Sequence, residues 1–318
     1  MTAAATSYAF REGRPRDLRA TFSISAIAVH HTAAKMGLIH GPPPTDAQIE
    51  AEWRSQRELV EFIAGQPDGS YWLCEDEGGT VGYARVCRFA EMEQLTELMV
   101  LPGHHGRGIG TGLLERCFPS DPTPNLGRLV VAAGATGDLT LYSDFGVMPV
   151  AGHWHLRASA TDYAERRALE IDSTDPAVHV LEGGRAAAEW KALEPRAIGH
   201  RRPAVHDFFA RTRSCLATMD PETGSATGLC WVGPTGDVGP AVAVTPADLV
   251  PVVLAALDRV AKTLGPANFG VYCSTDSWWL LRRLRNLGFK VHWPGWVMSS
   301  IPLPGLDRYM PMRPPHLL

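Results

Sequence analysis

The 318-residue sequence has no long apolar run, almost no excess charge and few cysteines. No stretch approaches the roughly 18–20 apolar residues that a membrane-spanning helix needs, and the N-terminal residues are too small and polar for a secretory signal. The formal net charge of −4 gives no overall attraction to nucleic acid or to anionic lipid. From these absences we expect a soluble, cytoplasmic protein that does not bind membranes and for which nucleic acid is not a natural partner.

The 6 cysteines and 12 histidines show no spacing typical of metal ligands. The cysteines are widely scattered and include no C-x-x-C pair, which favours buried free thiols in a reducing compartment. The adjacent pairs His30–His31 and His104–His105 point their side chains in different directions on either a helix or a strand. We therefore expect no metal site.

The most informative stretch is a glycine-rich run that follows a short apolar strand. The strand ends near Pro102, and glycines then stand at positions 103, 106, 108, 110 and 112. Apolar residues at Ile109, Leu113 and Leu114 begin a helical period. A strand, a glycine loop and a helix N-terminus together turn backbone N–H groups toward a bound anion. The run therefore predicts an anion-binding site.

Two common phosphate-binding loops are excluded by what this run lacks. A P-loop has a Lys-Ser/Thr pair after its last glycine, and Thr111-Gly112 does not supply that pair. A dinucleotide-binding fold places its loop near the start of a βαβ unit and an acidic residue about 20 positions further on. Here a long segment precedes the loop, and the corresponding downstream region is rich in proline.

The run resembles the pyrophosphate-binding motif of the GNAT acyltransferase superfamily, Val-x-Pro-x-x-(Arg/Gln)-Gly-x-Gly-(Ile/Tyr)-Gly/Ala. Six positions match this motif: Val100, Pro102, Gly106, Gly108, Ile109 and Gly110. His105 stands where Arg or Gln is usual. The resemblance implies that the loop binds acetyl-CoA, or another acyl-CoA, as a co-substrate. The donor-binding residues that it implies are Met99, Val100, His105, Gly106, Arg107, Gly108, Ile109, Gly110 and Thr111.

A second resemblance lies in the segment Leu141-Tyr142-Ser143-Asp144-Phe145-Gly146-Val147, where GNAT enzymes commonly have Leu-Tyr-x-x-x-Gly-Phe. It implies that Tyr142 lies near the thioester sulfur and protonates the departing thiolate. Such an acid lowers the cost of forming a thiolate in a partly dry cleft. Packing of the tyrosine on the sheet is the alternative. Upstream, Ala135 and Asp138 depart from the family's Asn-x-x-Ala.

Glu97 lies on the motif strand, where several GNAT relatives have a glutamate that faces the acceptor. In that position it would take a proton from the acceptor amine, directly or through a water molecule. A structural hydrogen bond is an equally good reason for its presence, because an unpaired buried carboxylate is costly. The resemblance also implies that backbone N–H groups near Met99 and Val100 polarise the thioester carbonyl.

The link between the first two predicted helices lines the acceptor pocket in GNAT proteins. By that resemblance the region as a whole is a candidate for the acceptor pocket, although packing is the commoner role for any single residue in it. Its candidate side chains are His30, His31, Met36, His40 and Trp53.

The predicted fold class is α/β, with a mixed and mostly antiparallel central sheet flanked by helices. The order of elements repeats after a polar segment, so the chain resembles two tandem GNAT folds, at 1–158 and 178–318, joined by a linker at 159–177. The second copy has Val244-Thr245-Pro246-Ala247-Asp248 in place of the glycine loop and Leu284 in place of the tyrosine. Proline has no N–H to offer a phosphate. We therefore expect a degenerate second domain without a donor site.

The second half also carries basic and aromatic clusters. A solvated face explains the basic clusters best, with an anion or RNA site as the alternative. The tryptophans are expected to be core and strand aromatics. The basic residues are Arg196, His200, Arg201 and Arg202 in one cluster, with Arg282, Arg283 and Arg285 in the other. The tryptophans are Trp278, Trp279, Trp293 and Trp296.

Together these resemblances imply an acyl-CoA-dependent N-acyltransferase that acts by direct transfer, most simply of an acetyl group to the amine of a small molecule. One alternative is a transferase that takes its acyl group from aminoacyl-tRNA, since tandem GNAT folds occur in such enzymes. Another is a non-catalytic acyl-CoA-binding protein. The expected partner is a small-molecule amine, and the expected assembly is a monomer or a homodimer.

Overall fold

The structure, a computed structural model, describes residues 7–118, 126–170, 176–314 and 316–318. The chain forms two compact units, Met1–Arg88 with Met92–Arg128, and Phe89–Glu91 with Leu129–Leu318. This division follows compactness, whereas the domain boundaries predicted at 158 and 178 follow the repeat of elements. Those boundaries stay a prediction.

The first unit contains an antiparallel sheet and the helices that position the glycine loop. The strands β1 to β4 lie side by side in chain order, with β1 and β2 antiparallel, as are β2 and β3. The strands are Ala9–Glu12, Ser70–Asp76, Gly79–Phe89 and Met92–Val100. The helices α1 to α3 are Leu18–Lys35, Asp46–Ala64 and Ile109–Cys117.

Local sequence signals explain how these elements begin. Thr45 caps α2, because its hydroxyl accepts a hydrogen bond from the Gln48 N–H while the Gln48 side chain accepts one from the Thr45 N–H. Strands β2 and β3 form an antiparallel hairpin that turns at Glu77-Gly78. Helices α1 and α2 pack together through Phe22 and Trp53, whose ring centroids are 5.3 Å apart.

The second unit alternates strands and helices along most of its length. Strand β5, Gly127–Ala133, begins at the boundary between the two units. The other strands, β6 to β14, are Met148–Ser159, Val178–Leu181, Ser214–Met219, Ala226–Val232, Val238–Ala243, Asn268–Ser274, Lys290–Trp293, Gly295–Ser299 and Tyr309–Met310. The helices α4 to α10 are Thr136–Ser143, Ala160–Ala168, Gly183–Leu193, Pro195–Ile198, Pro203–Thr212, Pro246–Leu264 and Trp278–Asn286.

In the second unit, strands from the two predicted domains pair with one another in the same sheet. Strand β13 pairs antiparallel with β5 on one side and with β6 on the other, and β11 pairs with the far edge of β6. Another sheet has the order β14-β10-β9-β8-β7. The predicted α/β class with mostly antiparallel sheets is confirmed. The repeat of elements did not reveal the insertion of β13, because strand order is set by tertiary pairing.

The middle of the chain contains one long strand and one helix. Strand β6 runs without a break from Met148 to Ser159. The segment 159–177, which was predicted as a linker, contains helix α5, which Ser159 caps and which buries Tyr163 against Phe269 and Phe289. Residues 171–175 of that linker lie outside the described residues.

Helix α9 forms the centre of the core in the second unit. Its apolar side chains Leu249, Val252, Val253, Leu257 and Val260 are buried against strands of the sheets and against α10. The helical spacing of these apolar residues places them on one face of the helix. Among the described residues, no helix is long and apolar enough to cross a membrane.

Candidate active site

The glycine run connects strand β4 to helix α3, as the sequence predicted. A short 3-10 turn at Pro102–His104 opens the connection, where the His104 N–H donates to Leu101 O at 2.9 Å. The Leu101 N–H donates in turn to Val81 O at 2.8 Å. The start of the loop is thus fixed to strand β3, while the rest continues into the helix.

Gly106 and Gly108 give the loop its shape. Their φ angles are 73° and 75°, a left-handed conformation that glycine adopts at little cost. A Cβ atom added at either position would meet no atom within 4 Å. Backbone conformation rather than crowding therefore requires glycine here, and no neighbouring side chain covers the backbone that these residues expose.

The N-terminus of α3 presents the N–H groups of Ile109, Gly110 and Thr111. A helix leaves its first N–H groups without an acceptor inside the helix, and Gly112 is already bonded through its N–H to Gly108 O at 2.9 Å. The three donors lie at the positive end of the helix dipole. This is the backbone arrangement that binds phosphate groups at helix N-termini.

Histidine side chains hold the loop in place. The His105 Nε2–H donates to Val100 O at 2.8 Å, so this side chain spans the loop where the family has Arg or Gln. Tyr8 connects two further loop residues, because Arg107 Nη1 donates to the Tyr8 hydroxyl at 3.1 Å and that hydroxyl lies 3.1 Å from His104 Nδ1. No local spacing in the sequence indicated the role of Tyr8.

Glu97 is buried and held by partners on strand β3. The Tyr83 hydroxyl donates to Glu97 Oε1 at 2.9 Å, and Arg85 forms a close ion pair with Oε2. Arg85 in turn lies over the Tyr71 ring, 4.7 Å from its centroid, and the Tyr71 hydroxyl is hydrogen-bonded to Thr21 at 2.8 Å. Burial, followed by the Glu97 charge, raises the pKa of Tyr83. The sequence placed Glu97 on the strand but did not identify these partners.

The backbone groups near Glu97 divide between the two edges of strand β4. In an antiparallel strand, the N–H and C=O of one residue point to the same neighbour, and those of the next residue point the other way. Because the Leu101 N–H bonds to β3, the Met99 N–H also points toward β3, and the Val100 N–H points to the opposite edge. Of the two predicted carbonyl-polarising groups, only that of Val100 is turned away from β3.

Tyr142 lies on helix α4 in the second unit and is 7% exposed. Burial, with a smaller contribution from the Asp138 charge, raises the pKa of its hydroxyl well above the usual value. The hydroxyl therefore stays protonated at neutral pH and is a weaker acid than that of an exposed tyrosine. Ala135 is the N-cap residue of α4 and its side chain makes no capping hydrogen bond, where the family often has Asn.

The residues that were expected to line the acceptor pocket differ in their surroundings. Trp53 is 9% exposed and belongs to the core between α1 and α2, so packing accounts for it. His31 lies near the donor loop, since its ring is edge-on to the His105 ring at a centroid distance of 6.0 Å. His30, Met36 and His40 have no contact that assigns them to a pocket.

In the second half, the position equivalent to the glycine loop is the start of helix α9, which is capped by side chains of the same segment. Helix α9 begins at Pro246, and its N-cap Thr245 shares a capping box with Asp248. The Thr245 hydroxyl donates to the Asp248 carboxylate at 2.6 Å, so a negative charge already occupies this helix N-terminus. Leu284, in the place of the tyrosine, is fully buried in the core. This helix start does not suit a pyrophosphate.

Part of the basic cluster at residues 196–202 is buried, so the expectation of a solvated face does not hold for all of it. Arg202 and Glu194 form an ion pair with a 2.6 Å contact, and their side chains are 0% and 1% exposed. The Arg202 guanidinium also donates to the Tyr309 hydroxyl and to Leu318 O, and His200 is buried. These partners use the Arg202 guanidinium inside the protein, so Arg202 and His200 are not part of an exposed basic surface. Across the described ranges, no group of three or more His, Cys, Asp or Glu side chains has a geometry suited to a metal ion.

A family model matches the part of the chain that contains this site. Residues 67–146 match the family model described as an acetyltransferase (GNAT) domain, a range that includes β4, the glycine loop, α3 and Tyr142. No curated protein matches the chain. This part of the chain is therefore similar to a GNAT acetyltransferase domain, and the match supports acyl transfer in general.

Solved structures extend the similarity to the whole chain. A protein from Pyrococcus horikoshii, provisionally described as an acetyltransferase, has a TM-score of 0.68 at 17% identity, with 95% of this chain and 92% of that chain covered. A tandem GNAT protein from the clavulanic acid biosynthesis pathway has a TM-score of 0.59 at 14% identity and covers 93% and 99%. A GCN5-related N-acetyltransferase from Sphaerobacter thermophilus has a TM-score of 0.56 at 17% identity and covers 94% and 97%. The chain thus shares the fold of these proteins along nearly its whole length.

Proposed function

We propose that the protein is an acyl-CoA-dependent N-acyltransferase that transfers an acetyl group to the amine of a small molecule. The observation that carries the proposal is the open connection between β4 and α3. There, Gly106 and Gly108 are left-handed, their backbone is uncovered, and the first N–H groups of α3 have no acceptor within the helix. A pyrophosphate would receive hydrogen bonds from this loop, with acetyl-CoA as the co-substrate.

The transfer would proceed in one complex without a covalent enzyme intermediate. The amine nitrogen attacks the thioester carbonyl carbon, a C–N bond forms and the C–S bond breaks. The Val100 N–H, which points to the strand edge away from β3, supports the developing oxyanion. The Tyr142 hydroxyl, assigned to this step by its sequence motif, then donates its proton to the leaving sulfur and regains a proton from solvent water.

For Glu97, the contacts favour the structural role over that of a direct base. Both oxygens of the Glu97 carboxylate are engaged, one by Arg85 and the other by the Tyr83 hydroxyl, so neither is turned to an acceptor amine. We assign it the role of holding Arg85 and Tyr83 beneath the end of β4. The proton of the attacking amine then leaves to solvent water.

The aminoacyl-tRNA alternative is less well supported. The net charge of −4 gives no overall attraction to an RNA backbone, and the Arg202 guanidinium is used in a buried ion pair. The glycine loop also has its simplest explanation in a pyrophosphate. The non-catalytic alternative shares the same loop and differs only in the absence of turnover.

Thermal unfolding with candidate donors, followed by an assay of thiol release, separates the three functions. Acetyl-CoA at 100 times its dissociation constant is expected to stabilise the fold by about 2.7 kcal/mol and raise the melting midpoint. An aminoacyl-tRNA mixture is expected to leave the midpoint unchanged. Release of free CoA on addition of a panel of small amines would establish transfer. Stabilisation by acetyl-CoA without release from any amine would instead support an acyl-CoA-binding protein.

A further inference from the structure

A groove in the second unit combines an aromatic floor with a cationic rim. It lies between helix α10 and the strands β6 and β12, and its volume is about 690 Å³. None of its lining residues belongs to the glycine loop. The residues that matter for its chemistry are Trp154, Trp278, Leu281, Arg282, Arg285 and Lys290.

The two tryptophans of the groove leave ring surface uncovered. Trp278 is 62% exposed at the start of α10, so the expectation that it is a core aromatic is wrong. Trp154 packs on the core with one part of its indole. A Cβ at Gly152 would clash with Thr275 Cγ2 and lie 3.2 Å from Trp154 Nε1, so the glycine leaves room for both side chains. Within the described part of the chain, neither ring stacks on another aromatic side chain. Both are therefore free to contact a flat ligand.

The rim of the groove is positively charged. Arg282, Arg285 and Lys290 line it, and among the residues that the structure describes no Asp or Glu does. Neither Arg282 nor Lys290 forms an ion pair with any described residue, and Arg285 uses Nη1 to donate to Phe289 O at 2.7 Å. By contrast, the neighbouring Arg283 pairs with Glu170 at 2.7 Å and does not line the groove. The charge is thus concentrated in a protein whose net charge is −4.

We propose that this groove is a second ligand site that binds a small aromatic phosphate, with its ring against Trp278 and Trp154 and its phosphate on Arg282 and Lys290. The volume lies within the range of small-molecule sites. An exposed charge pair alone is weak, and ring stacking supplies the missing affinity. A purely apolar ligand would not explain the three cations, and inorganic phosphate would not explain the open indoles. The inference does not depend on acyl transfer.

Calorimetric titration of the full chain with 1-naphthyl phosphate tests the proposal. Saturable binding is expected, with 1-naphthol and inorganic phosphate each binding at least about tenfold more weakly. Trp278→Leu is expected to weaken the binding of 1-naphthyl phosphate about tenfold, the magnitude typical of one lost stacking contact. Arg282→Gln with Lys290→Gln is expected to remove most of the difference between 1-naphthyl phosphate and 1-naphthol.

The chain supplies matched controls for both changes. Trp279 is also 62% exposed and adjacent in sequence, but it does not line the groove, so Trp279→Leu should leave the affinity within about twofold. Lys262→Gln removes an exposed charge elsewhere and should have no effect. Melting midpoints close to that of the wild type would show that the variants are folded. Equal losses in the two tryptophan variants, or no saturable binding, would overturn the proposal. So would a dimer that Trp278→Leu dissociates, since the groove would then hold a second copy of the chain.

Discussion

Glu97 and Arg85 form an ion pair between the neighbouring strands β4 and β3, and their side chains are 4% and 3% exposed. The Tyr83 hydroxyl donates to the carboxylate oxygen that Arg85 does not occupy. Glu97 thus sits where GNAT relatives have an acceptor-facing glutamate, but both of its oxygens are engaged within the protein. Substitution of these residues distinguishes the two roles that the sequence left open for Glu97, because a structural carboxylate and a general base respond differently to substitution.

Glu97→Gln is expected to reduce the free energy of unfolding by about 3–5 kcal/mol, because it leaves the buried Arg85 charge without its partner. Arg85→Met should cost a similar amount, and the double variant less than the sum of the two. Urea unfolding of the two single variants and the double variant measures this coupling. Tyr83→Phe removes only one hydrogen bond to the carboxylate and should cost about 1.5–3 kcal/mol. A large loss of kcat/KM in Glu97→Gln with little change in stability would identify Glu97 as the base instead.

Tyr142→Phe is expected to lower kcat about 100-fold or more and to leave the KM for acetyl-CoA nearly unchanged, because the hydroxyl acts on the leaving sulfur. Steady-state measurement of thiol release tests this once an acceptor amine is in hand. Tyr163→Phe is the control, since Tyr163 is also a buried tyrosine whose pKa burial raises. It donates to Asp258, so its loss should lower stability but not turnover. Full activity in Tyr142→Phe would remove the tyrosine from the mechanism.

The glycine loop could be predicted from the sequence because its conformation is local. Left-handed φ angles at Gly106 and Gly108 and a helix start at Ile109 follow from residue type and spacing. Its supporting contacts could not be predicted, because Tyr8 reaches the loop from a distant part of the chain. The alternation of Tyr83 and Arg85 along β3 placed both on one face, but only the pairing of β3 with β4 set them against Glu97.

In the second half of the chain, the sequence predicted the loss of the glycine loop but not the order of the strands. Element order and the loss of the glycine loop were visible at Thr245-Pro246, and the capping box there agrees with that loss. The insertion of β13 between β5 and β6 was not visible, because a strand carries no local signal for its partner. Helical period alone also could not tell the exposed Trp278 from a core aromatic, since the difference depends on what packs against α10.

Acid should destabilise the protein through His153. Its ring is 4% exposed and stacks on Tyr272 at 4.7 Å, and burial lowers its pKa from 6.5 to about 3. Between these two pKa values the unfolded state binds a proton that the folded state does not. Stability is therefore unaffected by His153 above the unfolded pKa and falls as the pH drops below it, by at most about 1.4 kcal/mol per pH unit.

Urea unfolding at several pH values from 7 down to 4 tests this expectation. His153→Phe keeps an aromatic ring for Tyr272 and removes the titrating group, so its stability should fall less steeply over that range than that of the wild type. The exposed His40 provides the control, and His40→Gln should follow the wild-type curve. Identical slopes for wild type and His153→Phe would show that other groups cause the acid sensitivity.

The most direct test of the donor site compares calorimetric binding of CoA with that of pantetheine, which lacks the pyrophosphate. Thr111 is exposed in the first turn of α3, where a glutamate favours the helix but repels an anion at its N-terminus. CoA should bind the wild type at least about tenfold more tightly than pantetheine. Thr111→Glu should remove most of that difference, while the uncharged Thr111→Gln preserves it. Equal affinities of the wild type for CoA and pantetheine, or CoA binding that is indifferent to Thr111→Glu, would contradict the assignment of this loop to the pyrophosphate of an acyl-CoA.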